Sequence, residues 1–452
     1  MSDKIDINSS DSTKIYHSFN KRIKYLQTIR HEIKKSRILF DETRERFGLD
    51  ELSQLVKVKN TSEIKGYPFK GYKRSYNKIT RGIKFGLKVV PIETKYDKAE
   101  HPCNLENIIL KYLTDNIVNK NISPHLVYYL GTQKVSNKSK SLKMLNLKRL
   151  EVDGSIRTHS NMLISEYVDG GSLDNWIYNT YENDKEIEDN QWKNIVFQLI
   201  YTIAIIQKYY KMMHNDFHYG NILIDTSIKP GGYLVYQIDQ KTYYLKNTGI
   251  IPRLWDFEFS MVYSDKIPEA YPNKFILGPY KYDRKLHKTI ITDEEMDNLS
   301  DSELNVPFNY NEVYDVHYFL TSLLDLYISQ ELFDWIIELY PRELIPDDTD
   351  STASSSSSVA STSETSSSVA SSSNSSSSLD SFTHSETETK STSNKNSDDN
   401  KYLLEGRLIN GANDIFQLPT PLELLKQKFF EPFTVKPDDF DEKTAIYFNA
   451  GF

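Results

Sequence analysis

His214-Asn215-Asp216-Phe217-His218-Tyr219-Gly220-Asn221 is the stretch on which the reading of this chain turns. It directly follows a long apolar helix, with Ile195 to Ile206 its most apolar part, and directly precedes the apolar Ile222-Leu223-Ile224. An Asp and an Asn five apart converge if the chain loops between them. The carboxylate of Asp216 can then accept a hydroxyl proton, while the amide oxygen of Asn221 takes a hard cation such as Mg2+. Alone, such a pair is more often a turn former; the apolar flanks argue against that here. Further on, Leu254-Trp255-Asp256-Phe257-Glu258 puts a second acidic residue after an apolar lead-in, and Asp256 is a candidate second metal ligand.

Around these motifs the composition narrows the choices. The 452 residues carry 55 Lys+Arg against 63 Asp+Glu, a formal charge of −8, which disfavours a nucleic-acid-coating role. The length suits one large domain or two ordinary ones. A single cysteine, Cys103, excludes an intrachain disulfide and fits a reducing compartment such as the cytoplasm. Met1 to Asp11 lacks the apolar segment of a signal peptide, and Ile195 to Ile206, interrupted by Gln198 and Thr202, is too short to cross a membrane.

Serine dominates from Asp347 to about Asn400, a segment too poor in large apolar side chains to repay its ordering entropy and therefore expected to be disordered. Order is expected again from Lys401, with an amphipathic pattern in Thr420 to Phe430 opened by Pro421. Near the other end, Asn20 to Phe47 predicts a basic helix with Ile23, Leu26, Ile29 and Ile33 as a partial apolar stripe, either docked or solvated, or else touching an anionic surface. Tyr72 to Asn77 and Ile83 to Val90 predict a strand pair turning near Gly82, and Leu163 to Tyr167 another strand; helical patterns dominate after Trp192. That order predicts an α+β protein with two unequal lobes.

Taken together, the motifs resemble the eukaryotic-type protein kinase superfamily. In Gly86-Leu87-Lys88-Val89-Val90, Lys88 is similar to the strand lysine that contacts the α- and β-phosphates, and Glu106 stands near the place of its ion-pair partner. Gly66-Tyr67-Pro68-Phe69-Lys70-Gly71 stands where the phosphate-covering loop belongs, with Pro68 in place of the middle glycine, so one amide contact is expected to be missing. Ile164-Ser165-Glu166-Tyr167-Val168-Asp169-Gly170-Gly171-Ser172-Leu173 resembles the hinge, which implies that Glu166 and Val168 bond adenine through their backbones, with an open pocket behind the small Ser165. Tyr314-Asp315-Val316-His317 resembles the helix whose Asp supports the catalytic loop. Thr420 to Phe430 resembles the closing segment, which makes the serine tract an insert.

The resemblance implies a bilobal kinase-like fold: an N-terminal extension (1–56), a strand-rich N-lobe with the hinge (57–168), a helical C-lobe (169–346), the disordered insert (347–400) and the rest of the C-lobe (401–452). It implies ATP and Mg2+ as cofactors, with Asn221 and Asp256 holding the metal, and Asp216, His218, Lys88 and Glu106 as the catalytic set. Gly66, Gly71, Lys88, Glu166 and Val168 would bind the nucleotide. Protein hydroxyls are the expected acceptors, with no nucleic acid and no membrane span. In residue usage and degenerate motifs the chain resembles serine/threonine kinases of large DNA viruses, mimivirus among them, which would place it in host cytoplasm and leaves packaging into particles open.

Four departures stand out. Asn215 replaces the arginine that pairs with a phosphorylated activation loop, and His218 replaces a lysine beside the γ-phosphate. Glu258 replaces the glycine after Asp256-Phe257, and Ile267-Pro268-Glu269 is a poor stand-in for the Ala-Pro-Glu anchor. His-Asn-Asp and Asp-Phe-Glu also resemble choline-kinase and aminoglycoside-phosphotransferase-like enzymes, and a catalytically dead scaffold is a third possibility, disfavoured by the complete polar set.

Overall fold

The structure, a computed structural model, describes residues 19–36, 56–57, 67–72, 84–92, 102–136, 151–152, 155–156, 159–183, 185–267, 281–283, 288–290, 309–341 and 418–452. The serine tract, the segment 37–47 of the expected N-terminal helix, Gly66 and Pro268-Glu269 lie outside the described residues.

The first element, α1 (Phe19–Ser36), is the basic helix. Phe19, Ile23, Leu26 and Ile29 recur at helical spacing and all are buried. At roughly 1.5–3 kcal/mol for each apolar side chain removed from water, this face decides for docking over a solvated helix. Phe19 meets Phe448 edge-on at 5.3 Å, and the Arg30 guanidinium lies 5.2 Å over the Tyr129 ring.

A five-stranded antiparallel sheet follows: β1 (Val56–Lys57), β2 (Tyr67–Tyr72), β3 (Lys84–Ile92), then, after α2 (Pro102–Leu113) and a π-turn at Thr114–Val118, β4 (Tyr129–Ser136) and β5 (His159–Glu166). Its order is β1-β2-β3-β5-β4. The described strand that pairs with this side of β3 is 67–72; of the expected 72–77 only Tyr72 lies among the described residues. This corrects the loop assigned to Gly66–Gly71 as well: Gly71 is a strand residue opposite Phe85. Alternating aromatics at Tyr67, Phe69 and the Tyr72 end favour a strand over a glycine turn. Pro68 lies beyond the two β2 residues that β1 pairs with, Phe69 and Lys70, so its missing N–H breaks none of those pairings. A register shift between Tyr129 and Gly131 marks the start of β4, where it crosses the end of β5.

Beyond β5 come α3 (Leu173–Glu182) and α4 (Asp189–Tyr210). From Trp192 to Ile206 α4 is buried on nearly every face, a core helix around which the rest assembles. The helical pattern expected to dominate after Trp192 is interrupted by strands. Strand β6 (Ile222–Asp225) pairs with β9 (Ile251–Leu254), and between them β7 (Tyr233–Ile238) and β8 (Lys241–Lys246) form a hairpin. Its two-residue turn, Asp239-Gln240, has positive φ at both positions, as a primed turn requires. Helices α5 (Tyr314–Leu323) and α6 (Gln330–Glu338) follow.

The chain re-enters at α7 (Pro421–Leu425), opened by a capping box in which Thr420 and Glu423 satisfy each other's backbone N–H, and ends on β10 (Ile446–Asn449), parallel to β7. Trp335 stacks on Phe429 at 4.2 Å, and Phe197 of α4 packs against Phe430 and Phe433, so residues on both sides of 342–417 share one core. Among the described residues no helix is long and apolar enough to cross a membrane.

Among the described residues three buried histidines are held neutral by the same device. His125, His214 and His317 each donate one ring N–H to a backbone carbonyl (Pro252, Trp255 and Pro419), and the other nitrogen accepts, from the Tyr236 hydroxyl, the Asp216 N–H and the Tyr340 hydroxyl respectively. Burial lowers all three, His214 and His317 to about 4. A lowered folded pKa means that the unfolded chain binds the proton first, so stability present above about 6.5 is lost as pH falls toward 4. Replacing His317 by Gln should therefore flatten the fall in stability between pH 7 and pH 5 by about 2 kcal/mol, read from denaturant midpoints at the two pH values.

Candidate active site

Lys88 projects from β3, opposite Leu163 of β5, and its side chain is only 4% exposed. Its ammonium donates to both oxygens of Glu106 on α2, at 2.9 and 3.1 Å, to Asp256 at 2.8 Å and to Glu258 at 3.1 Å. The Trp255 ring lies 5.7 Å away. Burial by itself lowers the Lys88 pKa, but the Asp256, Glu106 and Glu258 charges drive it well above its ordinary value, and the lysine stays charged. Burial pushes the Glu106 carboxyl up, to about 8, against the pull of Lys88 and with the Asp256 and Glu258 charges adding to the push. Ligand oxygens of Glu106, Asp256 and Glu258 can lie within 4.8 Å of one another, an all-oxygen set of the kind hard divalent cations prefer.

Below this cluster the 214–221 loop is built on α5. The Asp315 carboxylate accepts the backbone N–H of His214 at 2.7 Å and of Asn215 at 2.8 Å. Asn215 sits at φ 63°, a left-handed conformation that Asn tolerates better than most residues. Its side-chain amide donates to the Phe259 carbonyl, the Ser260 hydroxyl donates to the His214 carbonyl, and Met212-Met213 pairs with Met261-Val262. The segment after Asp256 is thus tied to the loop by neutral hydrogen bonds.

Asn221 donates its side-chain amide to the Asp216 backbone oxygen at 2.9 Å and to Asp216 Oδ2 at 2.8 Å. His218 Nδ1 accepts the Gly220 N–H at 3.1 Å, and its Nε2 lies 3.8 Å from Asp216 Oδ2. The Trp255 N–H donates to the Asn221 carbonyl while its own carbonyl accepts from His214, so Asp256, with φ 65°, begins where the loop ends. Lys88, Glu106 and Asp256 are in direct contact, and Asp216, His218 and Asn221 form one adjoining group.

Glu166 is the last residue of β5, and its N–H is taken by the Tyr128 carbonyl at 2.9 Å; Val168 follows two residues on. The segment after it lies against β6 through Gly170 N–H to Ile224 O and Ile224 N–H to Gly171 O. Gly170 has to be glycine, since a Cβ there would stand 2.3 Å from the Ile224 oxygen. Behind the strand end, a Cβ on Gly86 would meet the Ser165 hydroxyl at 2.7 Å. Two contacts escaped the sequence reading: that of Glu258 with Lys88, and those of Arg22 of α1 with Glu166 and Asp225. The signal for Glu258 was its replacement of a glycine. Arg22 showed only as an arginine in register with the apolar stripe.

No family model matches the chain. A protein of Acanthamoeba polyphaga mimivirus named as a candidate serine/threonine-protein kinase is 24% identical over 318 residues, covering 64% of this chain and 62% of that protein. A second mimivirus protein of like name is 30% identical over 148 residues, 32% of this chain and 30% of its own, and a Dictyostelium discoideum one is 39% identical over 75 residues, 17% and 6%. The chain therefore spans less than two thirds of the length of each of these relatives. The likeness to mimivirus proteins with serine/threonine-kinase names agrees with the resemblance read from the motifs.

Replacing Asp315 by Ala leaves two buried N–H groups without their acceptor. A loss of roughly 2–6 kcal/mol is expected, at about 1–3 kcal/mol for each, and a denaturant midpoint within error of the parent would show that the loop does not depend on it.

Proposed function

We propose that this chain is an ATP- and Mg2+-dependent phosphotransferase of the serine/threonine protein kinase type, acting on a protein hydroxyl. The single observation that carries the reading is the contact of Lys88 with both Glu106 and Asp256, immediately beside the Asp216–Asn221 loop. On this reading 57–168 is the N-lobe with its hinge, 169–346 and 401–452 form the C-lobe of a bilobal fold, 347–400 is an insert and 1–56 an extension.

The donor chemistry fits the metal: the Asp256 carboxylate and the amide oxygen of Asn221 are hard oxygen ligands, and the Asn221 N–H group is already committed to Asp216. Mg2+, when bound, neutralises charge on the β- and γ-phosphate oxygens. Lys88, anchored by Glu106, turns from Asp256 and Glu258 toward the α- and β-phosphates. Asp216 is oriented by Asn221, and its carboxylate accepts the proton of the attacking hydroxyl. His218, its Nδ1 occupied by Gly220, presents Nε2 beside the transferring group. Glu166 and Val168 offer backbone groups to adenine. The rate then comes chiefly from positioning and electrostatics.

Incubating the purified protein with labelled ATP and Mg2+ beside protein acceptors, choline and aminoglycosides tests the reading: label on Ser or Thr is expected, label on a small alcohol would move the chain to the small-molecule kinases, and no nucleotide binding would leave a scaffold. Asp216→Asn should lower turnover by about 10²- to 10⁴-fold, and Lys88→Met should abolish it in a folded protein. Because Asn215 holds the Phe259 carbonyl without any phosphate, phosphatase treatment should leave turnover unchanged; its loss would reveal a phosphorylated activation loop.

A further inference from the structure

We infer that Arg22 of α1 is a positioning residue for the nucleotide-binding edge, acting through Glu166; the inference rests on the reading of Glu166–Val168 as that edge. Arg22 is 3% exposed, although its neighbours Lys21 and Lys24 on the same basic helix are exposed. Its guanidinium forms an ion pair with the Glu166 carboxylate at the end of β5, and its Nε lies 3.3 Å from Asp225 Oδ2 at the end of β6. One side chain therefore joins the last residue of the five-stranded sheet to the strand that follows the Asp216–Asn221 loop.

The contacts continue on both sides. Glu166 Oε1 accepts the Tyr128 N–H at 2.7 Å, so the carboxylate is held across β4 while its backbone closes β5. Asp225 also accepts from Arg253 on β9, three residues before Asp256, and Arg253 donates in turn to the Pro124 carbonyl. Glu166, Arg22, Asp225 and Arg253 thus form a buried row of alternating charge. Each member is fixed by its neighbours, because a buried charge that loses its partner is strongly disfavoured. The helix itself cannot slide: Asn121 donates to Asn20, Arg30 Nη2 donates to Asp115 Oδ2 at 3.1 Å, and Phe19 abuts Phe448. A side chain so constrained transmits its position to the Glu166 backbone.

The test uses the full chain and MgATP. Arg22→Lys keeps the charge but loses the fork that spans two carboxylates, and Arg22→Gln loses the charge as well. We expect the Kd and KM for MgATP to rise in order, Lys before Gln, by about ten- to a hundredfold for Gln, with kcat changed far less. Partial rescue by Lys and the split between KM and kcat separate positioning from a general loss of fold. Folded Arg22 variants that bind MgATP like the parent would overturn the inference, even if their melting temperature falls. If neither variant folds, Glu166→Gln reports the same link from its other end, keeping the Tyr128 hydrogen bond while dropping the ion pair; unchanged nucleotide affinity there overturns the inference as well. A parent chain that binds no MgATP sinks the underlying reading instead, and the two failures are thereby distinct.

Discussion

One buried ammonium among three carboxylates holds the site together. A unit pair about 3 Å apart is worth roughly 5 kcal/mol at an effective dielectric of 20, while removing a charged group from water costs several kcal/mol, so a single partner for Lys88 would barely offset its burial. Three partners decide the balance, and they come from separate parts of the chain: Glu106 from α2, Asp256 and Glu258 from the segment after β9. The lysine is therefore the joint between the sheet, the helix and the acidic segment. Burial is the larger cause of the rise of Glu106 to about 8, and the charges of Asp256 and Glu258 add to it against the pull of Lys88.

Beneath this charged layer lies a neutral one. His214 is kept uncharged by a carbonyl on one side and an N–H on the other, Asn215 by its amide reaches the Phe259 carbonyl, and only Asp315 brings a formal charge, satisfied by two backbone donors. Two left-handed residues, Asn215 and Asp256, make the turns that bring the layers together. Neither is glycine, and Asn and Asp are the residues for which that conformation is least costly. His214 in this layer is lowered to about 4 while Glu106 in the charged layer is raised to about 8, so the two layers take up protons in different ranges.

How much of this was legible in the sequence follows from how local each feature is. His214–Asn221 and Asp256 could be read because a polar loop between apolar runs is a local pattern. Lys88 and Glu106 became readable only through their order relative to that loop. The glycine spacing at 66–71 misled because spacing outvoted the aromatic alternation that makes 67–72 a strand. The β7–β8 hairpin was missed because its turn, Asp239-Gln240, carries no glycine and neither Tyr233–Ile238 nor Lys241–Lys246 alternates apolar with polar residues. Arg22 was hidden among lysines and arginines of identical charge. What distinguishes it is its register with Leu26 and Ile29, and register matters only once something is known to cover that face.

The same helix shows why a charged row stands where apolar contacts would have sufficed for adhesion. Phe19, Ile23, Leu26 and Ile29 already supply the burial that docks α1, and apolar contacts are non-directional, so a helix held by them alone can slip by part of a turn at little cost. Buried ion pairs add little net stability over apolar replacements, which leaves direction as their contribution. The planar guanidinium of Arg22 accepts carboxylates only along its donor axes, and with Glu166 on one side and Asp225 on the other those axes fix the helix in a single register. Adhesion and alignment are thus divided between the two kinds of side chain on one face, and the alignment is delivered at the strand end where an exact backbone position matters most.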